Sequence, residues 1–208
     1  MSDMLLALAR ANLYGFLAAV FGGPPGAELL AALRSAALAD ALRELGLTSA
    51  ALAVGQTAVE LTQEELAVAF TRLMVGPGPG YVPPYGSIYL DPPAGGNRPL
   101  LWGPSTIAIG ELYHAADLEL APGQVPDQLG VELAFMQHLC AREAHAATTG
   151  NNAAVEQARS LQAAMLRDHL GRWAPLWVAV VEQANPHPFY AAMARLLVSF
   201  LAWEQSEE

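Results

Sequence analysis

Apolar residues recur every three or four positions along almost the whole of this 208-residue chain. Leu66, Phe70, Leu73 and Met74 fall on one helical face. So do Leu129, Leu133, Met136 and Cys140, and so do Phe189, Met193, Leu196, Leu197 and Phe200. That spacing marks helices with one side against a core. Strict alternation over five or more residues, the mark of a half-buried strand, is hard to find. Abundant Ala and Leu favour helix as well, and no repeat of 20–50 residues is visible. The pattern predicts an all-α fold: a single-domain bundle over 1–208 with about nine helices. They fall near 3–21, 26–44, 48–57, 62–75, 104–118, 127–148, 152–170, 173–184 and 188–204. Punctuation agrees. Thr62-Gln63-Glu64-Glu65 is a capping-box start. Gly150 followed by Asn151 and Asn152 reads as a stop and then a start. Pro188 falls where a first helical turn tolerates it.

One segment breaks the rule. Residues 76–103 open with Gly76-Pro77-Gly78-Pro79-Gly80 and continue through Tyr81, Pro83-Pro84, Tyr85-Gly86-Ser87 and Tyr89. Connections in compact domains usually take about 4–6 residues. The two adjacent prolines fix backbone dihedrals, and the glycines allow turns or close approach of another backbone. The aromatic groups seek burial, so the segment is not composed like a disordered tail. It reads as a stiff loop that is either a packed connection or a pre-organised groove for a peptide.

Composition narrows the function. The chain is 53% apolar and 14% charged, well outside the disordered regime. Ten Lys plus Arg against a net charge of −10 leave no basic face for nucleic acid. A basic peptide or protein suits that balance better, although acidity also serves solubility. Cys140 is the sole cysteine, so no internal disulfide forms, which fits a reducing compartment. It sits on an apolar helix face as an inert core thiol. The first 23 residues carry Asp3 where a signal peptide is positive, and Arg10 and Asn12 interrupt the apolar run. No stretch reaches the roughly 18 apolar residues of a membrane span. The expectation is a cytoplasmic protein without stable membrane insertion.

Catalytic and metal patterns are missing from the sequence. His138 and His145 share a helix face, but there is no HExxH, cysteine pair or carboxylate triplet. The Gly-Pro run lacks the Lys-Ser/Thr of a phosphate loop, and its prolines remove amides that would cradle phosphate. Trp173, Trp177 and Trp203, at helical spacing, read as core. No cofactor, metal or enzymatic activity is expected.

Three blocks resemble one family. "EELAVAFTRLMVGPGPGYVPPYGSIYLD" is similar to the signature of the TorD/DmsD/NarJ redox-enzyme maturation chaperones. That signature is an Arg-Leu-aromatic helix end, a Gly-Pro loop, Pro-Pro-aromatic-Gly-Ser, an aromatic and Asp. "VPDQLGVELAFMQHLCARE" resembles the family's Pro-Asp-His helix start. "LRDHLGRWAPLWVAVVEQANPHPFYAAMARLLVSFL" resembles its C-terminal His-Leu-x-x-Trp and Pro-Phe-Tyr run. Together the blocks span most of 60–201. The resemblance implies an all-helical cytoplasmic chaperone. It would bind the twin-arginine leader, and in some members the body, of an apo-molybdoenzyme and hold it for cofactor insertion before export.

The same resemblance implies a peptide-binding set: Leu73, Met74, Pro84, Tyr85, Gly86, Ser87, Asp127, Gln128 and Glu132. Met74 stands where the family has an aromatic, and a thioether can still line a groove. Leu73 and Met74 read equally as core. Tyr85 could stack on a partner's apolar chain with its hydroxyl solvated. Ser87 could instead bond a loop amide. Asp127 reads as the N-cap of the next helix, a role compatible with binding. Gln128 replaces the family's His and removes a group that titrates near neutrality. Glu132 is a second candidate carboxylate, or a solvated helix residue. Alternatives stay open. One is a NarJ-like assembly factor for a non-exported reductase subunit. Another is a helical interaction module unrelated to redox enzymes; a weak nucleotide hydrolase would need a phosphate cradle. A homodimer, exchanged or not, is compatible with the sequence.

Overall fold

In the computed structural model the described residues are 3–47, 61–91 and 101–207. The helix expected at 48–57, and residues 92–100 of the irregular segment, lie outside them. The chain is all-α: α1 (Asp3–Gly22), α2 (Ala27–Leu33), α3 (Ala36–Glu44), α4 (Gln63–Phe70), α5 (Gly86–Leu90), α6 (Pro104–Ala115), α7 (Leu129–Thr149), α8 (Asn152–Asp168), α9 (Leu170–Gln183) and α10 (Pro188–Glu207). No strand occurs among the described residues; one isolated antiparallel bridge pairs Tyr85 with Gln128.

The helix signals act where the sequence places them. Thr62 Oγ1 accepts from Glu65 N at 3.2 Å, and Glu65 Oε2 accepts from Thr62 N at 3.1 Å. This reciprocal box starts α4. Gly150 ends α7 in the left-handed region at φ 71°, and Asn151 Oδ1 accepts from Ala154 N at 3.2 Å to open α8. The expected helix 26–44 is two helices. Arg34 and Ser35 intervene, where Ser35 bonds back to Ala32 O at 2.8 Å instead of capping α3. α4 runs on into one π-helical turn, Thr71–Val75.

The residues group into two compact units: Met1–Ala18 with Tyr85–Trp173, and Ala19–Pro84 with Ala174–Glu208. In the first, α7 packs along α8. Leu129, Leu133, Met136, Leu139 and Cys140 are buried on one face of α7, with Ala158, Met165 and Leu166 of α8 buried too. Glu143 pins α1, α7 and α8 together. Its carboxylate accepts from Arg10 Nη1 (3.2 Å), Gln162 Nε2 (3.0 Å) and Arg159 Nε (2.7 Å). Three donors on one buried carboxylate offset its desolvation. In the second unit, Phe21 meets Trp177 edge-on at 5.4 Å, and Tyr190 donates to Leu66 O at 3.3 Å.

α1 is long and apolar enough to cross a bilayer by length and composition alone, although no uninterrupted apolar run of that length was expected. Leu13, Tyr14, Leu17, Val20 and Phe21 are all buried, so its apolar character serves the protein's own core.

Candidate functional site

Six of the nine expected site residues meet at one junction in the first unit. The short helix α5 abuts the start of α7. The Tyr85–Gln128 bridge aligns the two segments. Gly86 N donates to Asp127 O at 2.8 Å, and Ser87 N donates to Asp127 Oδ2 at 2.7 Å. Asp127 therefore does not cap α7, as the sequence suggested. Gln128 does, its Oε1 accepting from Val131 N at 3.0 Å. The bridge brings the first free amides of α5 directly against Asp127, and a charge-assisted bond to them is the stronger use of its carboxylate.

Glu132 lies one turn into α7 and is fully buried, not solvated. Trp173 Nε1 donates to its Oε2 at 3.0 Å. The indole in turn stacks on Tyr89 of α5, centroids 5.7 Å apart at 17°. Gly86 sits so close that a Cβ there would stand 3.0 Å from Trp173 Nε1. That is the physical reason for a glycine at this position. Tyr113 adds a third support, donating to Pro126 O at 2.7 Å and packing edge-on against Phe135 at 4.5 Å.

Electrostatics follow from burial. Desolvation, then the charge of Asp127, hold the Glu132 carboxyl well above its ordinary range, against the opposing bond from Trp173. Burial pushes the Tyr113 hydroxyl up for the same reasons. His169, also buried, is pushed down, chiefly by desolvation. Ser87 Oγ, Asp127 Oδ1 and Glu132 Oε1 are buried and unpaired. Ser87 thus contributes its backbone amide, not its hydroxyl.

Exposure divides the nine residues. Tyr85 and Gln128 are half-exposed side by side; Gly86, Ser87, Asp127 and Glu132 are buried beneath them. Leu73, Met74 and Pro84 belong to the second unit and are buried there, Leu73 O accepting from Val82 N at 2.8 Å. Trp173, Trp177 and Cys140 are core, whereas Trp203 is only half-buried, stacked on Phe200. Among the described residues no group of three or more His, Cys, Asp or Glu could hold a metal.

A groove of about 710 Å³ lies in the second unit, and of the nine expected site residues only Leu73 lines it. It is lined by the outer stripe of α4 and the π turn, including Glu64, Glu65, Val68, Arg72 and Leu73, and by Ala184, Asn185, Pro186 and His187 between α9 and α10. The i, i+4 relation of residues 64, 68 and 72 was readable, but the capping box at 62–65 accounted for the same glutamates.

The family described as "Nitrate reductase delta subunit" matches residues 27–179. The chain is 38% identical over 90 residues to chaperone protein TorD of Aeromonas salmonicida (43% of this chain, 41% of that one). It is 29% identical over 132 residues to TorD of Shewanella pealeana (60% and 53%). It is 29% identical over 141 residues to the Tat proofreading chaperone DmsD of Salmonella typhi (67% and 60%). It thus spans about half the length of the curated relatives it matches. Among solved structures, a redox enzyme maturation protein of Archaeoglobus fulgidus shares the fold, with a TM-score of 0.55 over 93% of both chains at 22% identity.

Proposed function

This chain belongs to the nitrate reductase delta subunit family, and from that premise we propose that it is a non-catalytic, client-specific chaperone of the cytoplasm. It binds the twin-arginine leader of an apo-molybdoenzyme subunit and holds that client for cofactor insertion. Relatives named as TorD and as a Tat proofreading chaperone support this reading. The observation that carries it is the junction at Asp127. The aromatic-Gly-Ser motif and the Asp-led helix, distant in sequence, are tied by two short bonds, with Ser87 N on Asp127 Oδ2 at 2.7 Å. Pre-organisation of this kind lowers the ordering cost of capturing a partner. Tyr85 and Gln128 offer the client half-exposed surface. Gly86, Ser87, Asp127 and Glu132 hold that surface from beneath, while Leu73, Met74 and Pro84 pack within the second unit.

The family's description favours a second reading, an assembly factor for the body of a reductase subunit that is never exported. Capture of a candidate molybdoenzyme client, with and without its leader, separates the two. The leader reading expects the isolated leader to bind with a Kd of about 1 μM, near −8 kcal/mol, and the leader-deleted client to be lost. Retained capture of the deleted client moves the function to the body. Capture of neither form overturns both. Tyr85→Ala should weaken capture without lowering the melting temperature, because the side chain is half-exposed.

A further inference from the structure

We infer that the groove along α4 is a docking site for a basic–apolar peptide, and that it fixes the direction in which the peptide lies. The inference rests on the leader reading above and supplies the place where the arginine pair and apolar segment are held. Asp127 and Glu132 are at most 1% exposed, so a guanidinium cannot reach them from solvent. The carboxylates that line an open groove are Glu64 and Glu65.

Residues 64, 68 and 72, and residues 65, 69 and 73, form two adjacent rows on one helical face. The first row reads acidic, apolar, then cationic, and the second acidic, then apolar. Glu64 and Glu65 stand in the first turn of α4. Val68 follows, 65% exposed although apolar. Leu73 forms the floor, and Arg72 folds toward the Gly-Pro loop, its Nε donating to Pro79 O at 3.4 Å. Glu65 keeps its charge, because its bonds from Thr62 hold its carboxyl below the ordinary range. A cationic end belongs by the glutamates and is repelled by Arg72. An apolar segment covers Val68 and the half-buried Ala69, with Leu73 buried beneath them. A peptide whose arginines precede its apolar run therefore lies parallel to α4.

Geometry sets the spacing. Leu73 lies nine positions beyond Glu64, about 13 Å at helical rise. An extended peptide covers that in about four residues. Arginines about four residues ahead of the apolar anchor fit; arginines behind it do not. The π turn at Thr71–Val75, which lies under the apolar half, is a backbone form that gathers at functional sites.

Two labelled synthetic peptides of one composition test this by fluorescence anisotropy: Arg-Arg about four residues ahead of a leucine-rich run, and the reverse order. The protein should prefer the first. Glu64→Lys should weaken it about fivefold at low salt, an effect that fades as salt rises. Val68→Asp should weaken it about tenfold or more by removing apolar burial. Both positions are exposed, so melting temperatures should hold. If the client's leader binds but neither substitution alters it, the groove is not the site and the leader reading stands. If neither the client's leader nor the peptides bind, the leader reading fails and the groove with it.

Discussion

Glu132 sits in the first turn of α7, where a glutamate is ordinarily solvated, yet it is wholly enclosed and bonded to Trp173. The unfolded chain releases this proton near pH 4.5, while burial and Asp127 make the folded chain keep it well above that value. Between those points the folded state binds more protons, so stability falls as pH rises. His169 acts in the opposite sense: its folded value lies below 6.5, and stability is lost as pH falls through that window. Glu132→Gln isolates the first effect, since its amide oxygen can still accept from Trp173. From about pH 5 to about pH 8 the melting temperature of the native chain should drop relative to that of Glu132→Gln. Parallel curves would mean that Glu132 is ionised in the fold. The residue types of this junction were legible; their roles were not. Asp127 and Gln128 exchange the capping role because the Ser87 amide of α5, 40 residues away, claims the carboxylate, and local sequence carries no trace of such a claim.

Elements were more legible than residues because their signals are local. The capping box at Thr62, the Gly150 stop and the Asn151 start all act within four residues of chain, and all appear where the pattern places them. Three features escaped. The break at Arg34 and Ser35 lacks a Gly or Pro to announce it. The π turn after Phe70 keeps the same apolar spacing as an α turn. Helix α5 has only five residues, too short for a period, and is held by Asp127 and by stacking on Trp173 instead of by propensity. The box makes the element-scale prediction. Thr62→Ala removes the acceptor for Glu65 N and loosens Glu65 Oε2 from the first turn of α4. It should cost about 1 kcal/mol of stability, measured by urea unfolding, with the m-value unchanged. A loss under a few tenths would show that α4 is held by its buried Leu66 and Phe70 alone.

At the scale of the whole molecule, the all-α class was legible because repeated periodicity over 208 residues outweighs any local error. The division into two compact units was not. Sequence marks domain boundaries by linkers, and here the chain changes unit at 18–19, 84–85 and 173–174. Two of those points lie inside continuous helices, α1 and α9. A unit could therefore melt alone only by fraying a helix whose other half belongs to the second unit, and helical hydrogen bonds propagate cooperatively across such a point. We propose that the chain behaves as one cooperative domain. Far-ultraviolet circular dichroism follows all the helices. Intrinsic fluorescence sums the four tryptophans, of which the fully buried Trp173 lies in the first unit and the fully buried Trp177 in the second. The two melting curves should superimpose, and the calorimetric enthalpy should equal the van't Hoff value. A fluorescence transition displaced from the helical one, or two calorimetric peaks, would divide the chain into independently folding halves. The shared helices would then act as hinges between them.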